Sequence, residues 1–335
     1  MVFNPTSSVK RSFVYLAVAS LSACGGGDST NTPPAAPVQV TPYSQSDVKT
    51  AAATGLLLVN LSATQAQVEQ SFFAALLEGF INAPAGGSLA ATTIPCAVNG
   101  LGSGSFTTSV TRAGIYAGLR TNDILNFTFN SCVFGSAAGL TLNGSTSLTS
   151  GNTYTSLAPA FLIQYNVVTT NFDFITSAGK IRSNGNQSVT FDARTAGTSL
   201  PEISVLAGAA GYGSSFFTPA TATVPSISNT LKSGGTIYSR LGTGSTFVSG
   251  VNGVVDIVTS SGMQSFTLVT NTRLSGSTAS GSAVPTAGNL SAKNNTLNLQ
   301  TVVSIQGLNA TVQADTNQDG TLDSTTTSSY ALLIL

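Results

Sequence analysis

The run Asp315-Thr316-Asn317-Gln318-Asp319-Gly320-Thr321-Leu322-Asp323 places ligand-type residues at alternate positions. Oxygens from Asp315, Asn317 and Asp319 can converge on one point when a glycine follows and allows a sharp turn. That spacing suits a hard cation, so calcium is the candidate cofactor, with Asp323 as a further ligand. The same residues also read as an Asp/Asn-rich turn joining two strands. Five other carboxylates, Asp123, Asp173, Asp192, Glu202 and Asp256, are the candidates for the acid pair of a glycoside hydrolase. They are scattered along the chain, and none of Lys180, Lys232 and Lys293 sits in a recognised Ser-Lys motif. The chain has no histidine. That removes Ser-His and Cys-His nucleophile pairs, imidazole bases and imidazole ligands together. A non-enzymatic β-rich domain with a binding or structural role is the main functional reading. A carboxylate-dependent hydrolase acting on carbohydrate or lipid is the alternative.

The 315–323 run resembles the start of an EF-hand calcium loop. It departs from that pattern at the twelfth position, where Thr326 stands in place of a bidentate glutamate, and its flanks read as strands. A second resemblance lies at the N-terminus. Lys10 and Arg11 precede the short apolar run Phe13–Ala19, and Leu21-Ser22-Ala23-Cys24 follows. Basic residues, a short apolar core and small residues before a cleavage point form a secretory signal. The run is too short to span a bilayer, which needs about 20 apolar residues. With a cysteine directly after the small residues, the segment resembles a bacterial lipoprotein signal ending in a lipobox. The resemblance implies removal of residues 1–23, lipidation of Cys24 and anchorage to a membrane through that lipid. Several acyl chains hold stably where one would not, at about 0.8 kcal/mol per buried methylene. Gly25 after the cysteine resembles the pattern of lipoproteins sent to the outer membrane. Residues 24–43 then form a Gly- and Pro-rich tether.

Composition agrees with an extracytoplasmic address. Charged residues make up only 7% of the 335, against about a quarter in ordinary globular domains. Removal of Lys10 and Arg11 leaves ten basic and twelve acidic residues, a net charge near −2. No basic patch exists to neutralise phosphates, which argues against a nucleic-acid partner. An envelope protein, a glycan or an apolar ligand are the candidate partners. With Cys24 assigned to lipid, Cys96 and Cys132 remain as an even pair, expected to form a disulfide in an oxidising compartment. Closing that loop of about 37 residues stabilises the fold by about 3–4 kcal/mol.

The elements that position these residues are legible in outline. Residues 44–83 read as helical, with Ser46 and Asp47 as starting caps and Ser62 or Thr64 as a second N-cap. Gln65, Gln67, Glu69 and Gln70 fall on a polar face of that segment, and the apolar face packs on the sheet that follows. From residue 88 to 335 the period is two. Leu125, Phe127 and Phe129 alternate with Asn126, Thr128 and Asn130, and Ile163, Tyr165 and Val167 repeat the pattern. So do Val303 and Ile305, then Leu308, Ala310, Val312 and Ala314. Asn143-Gly144, Ser183–Asn186, Gly242–Gly244 and Asn252-Gly253 read as hairpin turns. The fold class is mainly β: a large antiparallel sheet, as a sandwich or an open barrel-like meander, with the helical segment packed on it. Residues 196–236, Gly-rich and broken by Pro201, Pro219 and Pro225, are a candidate loop or subdomain break. A transmembrane β-barrel is a further alternative. The chain lacks tryptophan and regular aromatic pairs at strand ends, and its last strand ends in leucine.

Overall fold

The computed structural model describes residues 41–97, 102–134, 140–154, 161–177, 179–194, 199–242, 246–277, 284–330 and 333. The signal segment, Cys24 and nearly all of the tether lie outside the described residues. A single helix, α1 (Gln45–Ile81), leads into strands β1 (Leu89–Pro95), β2 (Gly102–Thr111), β3 (Ile124–Phe134), β4 (Thr141–Ser150), β5 (Leu162–Ile175), β6 (Lys180–Asp192) and β7 (Ser199–Phe217). The chain continues through β8 (Ile227–Leu231), β9 (Thr236–Gly242), β10 (Thr246–Thr259), β11 (Gly262–Ser277), β12 (Val284–Asn294), β13 (Leu299–Gln306), β14 (Asn309–Asp315) and β15 (Ser324–Ser329). All fifteen strands belong to one antiparallel meander, so the expected mainly-β class with a packed N-terminal helix holds. Strands that follow one another in sequence pair in space, except that β8 and β9 share one position between β7 and β10.

The helix starts one step earlier than expected. Ser44, and neither Ser46 nor Asp47, is the N-cap: its hydroxyl accepts from the Asp47 amide at 3.2 Å while the Asp47 carboxylate accepts from the Ser44 amide at 3.0 Å. This reciprocal pair satisfies two otherwise orphaned donors. No second start occurs at Ser62 or Thr64, and α1 runs unbroken for 37 residues. Ser62 is itself buried, and packing around the helix outweighs its weak helix propensity.

That packing comes from every side. Leu56, Leu58, Val59, Leu61, Phe73 and Leu77 are fully buried, and they do not share one face. A helix apolar all round must be enclosed, and the sheet curls to enclose it. Phe72 lies 5.9 Å from Phe129 of β3 and 6.0 and 5.8 Å from Phe172 and Phe174 of β5, centroid to centroid. Gly55 lies so close to β12 that a Cβ there would stand 2.6 Å from the Ala292 Cβ. Past the end of β15, Tyr330 hydrogen-bonds Asn60 of α1. Just before α1, the Tyr43 amide donates to Thr316 O at 3.1 Å and its hydroxyl donates to Leu297 O.

The residues of the expected polar face of the helix are interior: Gln65, Gln67, Glu69 and Gln70 are all buried. The Glu69 carboxyl accepts from Tyr212 Oη of β7 at 2.6 Å and from Ser183 Oγ and Gln187 Nε2 of β6 at 2.9 and 3.3 Å. Gln67 Oε1 accepts from Ser239 Oγ of β9 at 3.2 Å, and Gln70 Oε1 from Tyr165 Oη of β5 at 3.2 Å. One helical turn thus binds four strands through polar groups. Burial pushes the Glu69 pKa up to about 7, against the opposing pull of Tyr212, Ser183, Gln65 and Gln187. Burial likewise raises the Tyr165 and Tyr212 phenols well above their ordinary range.

Sheet curvature has its own sequence basis. Asn143-Gly144 and Asn184-Gly185 are not hairpin turns; they sit inside β4 and β6. Each marks a register shift, and such shifts recur across β2 to β7 as a ridge of bulges. Gly144 and Gly185 have φ of 94° and 123°, and a Cβ would fall 2.0 Å from Asn171 O and 2.2 Å from Gly211 O. The neighbouring asparagines cap amides that the shifts leave unpaired: Asn143 Oδ1 accepts from the Ser131 amide at 2.6 Å and Asn184 Oδ1 from the Asn171 amide at 2.7 Å. Bulges of this kind bend and twist a sheet. Asn252-Gly253 likewise lies inside β10, at a shift against β11. Of the expected Gly242–Gly244 turn, residues 243 and 244 are outside the described residues. The Gly-rich stretch within 196–236 is no break either, because Ala207–Phe217 continues β7. Leu308 departs from the expected alternation and is exposed between β13 and β14. Cys96 and Cys132 come to disulfide distance, 5.5 Å between Cα atoms, tying the end of β1 to β3.

Two outcomes follow for stability. A carboxyl whose folded pKa exceeds its unfolded value binds its proton more tightly when folded. Stability from Glu69 is therefore complete below about pH 4.5, declines as pH rises towards 7 and levels off beyond. Denaturant midpoints across pH 4–8.5 will show this decline in the wild type and a shallower one in E69Q; parallel profiles contradict it. In the sheet, Gly144→Ala meets a backbone carbonyl, whereas Gly262→Ala, also at positive φ, meets nothing within 4 Å. G262A is expected to cost about 1–2 kcal/mol and G144A clearly more, read from urea unfolding.

Candidate functional site

Outward-facing residues of β5–β7 and β9–β11 line a groove of about 460 Å³. Its position follows from the way β7 is paired. Residues 212–216 of β7 pair with β8 and residues 199–206 with β9, and Lys232–Gly235 interrupt that shared strand position. Leu206 and Thr236, which face each other beside the interruption, line the groove. Tyr165, Val189, Val205 and Ile237 also line it, although they are buried and Tyr165 turns its hydroxyl inward to Gln70 of α1. Among its walls stand hydroxyl and amide side chains, Gln164 and Asn166 of β5, Ser188 and Thr190 of β6, Ser204 of β7, Asn252 of β10 and Thr270 of β11, beside the apolar Leu206.

Several of these groups are held in place by neighbours. Ser188 Oγ donates to Asn166 Oδ1 at 2.6 Å, and Asn152 Nδ2 to Gln164 Oε1 at 2.5 Å. The Thr270 amide donates to Asn252 Oδ1 at 2.8 Å, while its hydroxyl donates to Val251 O at 2.9 Å. At one end, the Arg273 guanidinium lies over the Tyr238 ring, 3.2 Å from Cζ to centroid. The Tyr238 hydroxyl donates to Glu202 Oε2 at 2.8 Å. Burial raises the Tyr238 pKa, Glu202 adds to the rise, and Arg273 and Arg240 oppose it.

Two of the five carboxylates proposed for hydrolysis meet at this end. Asp192 and Glu202 stand directly opposite each other across β6 and β7, and Arg240 of β9 stands opposite Glu202. Asp192 is gripped by Arg194 at 3.0 Å to Nε and 2.7 Å to Nη2, and those hydrogen bonds hold its pKa below the usual carboxylate range. A general acid needs the opposite shift. The other three carboxylates are elsewhere. Asp123 is buried beside Tyr116 and Arg112, where it braces the β2–β3 connection. Asp173 takes a two-pronged contact from Arg182 at 2.6 and 2.8 Å. Asp256 pairs with Lys232. Lys180 lies over the Phe217 ring at 4.0 Å.

The 315–323 run forms a tight turn between β14 and β15. Asp315 accepts from the Asp319 and Gly320 amides at 3.1 and 2.8 Å. Asn317 Oδ1 accepts from the Asp319 amide, Asp319 from the Thr321 amide, and Asp323 from the Thr316 amide. The Thr321 hydroxyl and amide lower the Asp319 pKa, and the Thr316 amide and hydroxyl lower that of Asp323. Gln318 Nε2 reaches Tyr43 Oη at 3.1 Å, so the turn braces the entry to α1. Among the described residues, no three Cys, Asp or Glu side chains gather where they could hold a metal ion.

No family model, curated protein or solved structure matches this chain. What the groove can hold follows from its geometry. Sequence reasoning missed it because its members come from six strands, and Arg273 and Tyr238 had no local signal. Glu69 left no such signal either, because it falls among Gln65, Gln67 and Gln70 on the polar face of its segment.

The turn yields a direct check. Asp315→Ala removes the acceptor for two amides and is expected to lower stability by about 1–3 kcal/mol, equally in chelator and in millimolar calcium. A loss confined to calcium buffer makes the turn a metal site.

Proposed function

We propose that this chain is a lipid-anchored protein of the bacterial cell envelope, placed at the outer membrane through Cys24, whose β domain holds a hydroxyl-rich glycan in its outer groove. The groove carries the reading. Hydroxyls and amides from neighbouring strands stand in fixed rows, and a sugar offers donors and acceptors at comparable density. Burial in this sheet runs opposite to a membrane barrel, which needs an apolar band outside. In β5, Ile163, Tyr165 and Val167 are buried in the core, while Gln164 and Asn166 are exposed. The lipid anchor rests on the residues before and including Cys24, and the long tether lets the domain stand clear of the bilayer.

The anchor and the ligand are tested separately. Labelled palmitate should enter the wild-type chain in cells and be absent from Cys24→Ala. The full lipidated protein in detergent micelles should be retained on immobilised envelope polysaccharide, and N166A/S188A should weaken retention about tenfold, near 1.4 kcal/mol. Absence of label in the wild type removes the anchor, and absence of retention on any polysaccharide removes the glycan reading.

A further inference from the structure

Charge at one end of the groove departs from that of the chain. Residues 24–335 hold ten basic and twelve acidic residues, yet here Arg194, Arg240 and Arg273 gather around Asp192, Glu202 and the Tyr238 phenol. The two carboxylates are already engaged: Asp192 by the two-pronged contact from Arg194, and Glu202 by the Tyr238 hydroxyl. Among the described residues, neither Arg240 nor Arg273 has a carboxylate within ion-pair distance.

Arg273 is exposed and lines the groove, and its guanidinium rests flat over the Tyr238 ring. Stacking of this kind orders the guanidinium while leaving its outward N–H groups free to form a fork that matches a carboxylate or phosphate. Arg240 adds a second positive charge within reach of the same phenol. Hydroxyl- and amide-bearing side chains continue from this end along the groove.

We infer that the groove is built for an acidic glycan, whose anionic substituent sits on Arg273 and Arg240 while its hydroxyls meet Gln164, Asn166, Ser188 and Thr190. The inference rests on the glycan reading above and narrows it to sugars carrying a carboxylate or a phosphate. Both substituents present oxygens that a guanidinium binds with two parallel hydrogen bonds. Screening by salt should weaken the contact, because Arg273 is solvent-facing.

The test is calorimetric titration of the full lipidated protein in detergent micelles with three probes of equal length. These are an oligogalacturonate, a phosphorylated oligosaccharide and a neutral oligosaccharide. At least tenfold tighter binding of either acidic probe supports the inference, and the better of the two identifies the anionic group. That preference should shrink from 50 to 500 mM salt, and R273Q should bring the acidic probe down to the affinity of the neutral one. Unfolding midpoints of R273Q and wild type, measured alongside, separate a lost contact from a lost fold. Equal binding of all three probes overturns the inference and leaves the glycan reading standing. Binding of none overturns both.

Discussion

The structure depends on enclosing α1. A 37-residue helix that buries large apolar side chains in several directions cannot rest on a flat sheet, because much of that surface would stay in water. Each fully buried Leu or Phe contributes about 1.5–3 kcal/mol, and α1 carries such residues in every direction. The sheet must therefore curl, and its strands must alternate so that one set of side chains always points at the helix. The apolar interior and the polar exterior of the meander are two results of the same constraint.

Enclosure brings a cost and an ordering device together. Glu69 is drawn into the interior with its helix, where a charged carboxylate is unfavourable. Its raised pKa reflects that. The contacts it makes to Ser183, Gln187 and Tyr212 fix the helix at one rotation and one height relative to β6 and β7. Apolar packing alone tolerates sliding; a buried carboxyl with directional partners does not.

Curvature in turn shapes the outer surface. The bulge ridge across β2 to β7 bends one half of the sheet, and the interrupted strand position of β8 and β9 locally divides it. The groove lies beside that interruption. Asn166, Thr236 and Arg273, which all line it, are successively 70 and 37 positions apart in the sequence, so only strand order brings them together. The bulge glycines that bend the sheet are thus part of what positions the polar walls, although none of them bears a functional group.

Much of this was readable in the chain. The period of two in Leu125-Phe127-Phe129 and Ile163-Tyr165-Val167 set which side chains point inward, and the structure keeps that phase. The pairing of Cys96 with Cys132 also agrees with their position in it. Local sequence determines the inward phase because alternation is a property of a single strand. Three features were decided only by the tertiary structure. Asn-Gly pairs proved to be bulges, since a positive φ and a side-chain cap serve a bulge as well as a turn, and the neighbouring strand selects between them. Gln65, Gln67, Glu69 and Gln70 proved interior, since a helix pattern shows which residues are polar but not how many sheets of strands will surround it. The groove itself is an arrangement of distant strands, and no short stretch of sequence encodes a distance between them.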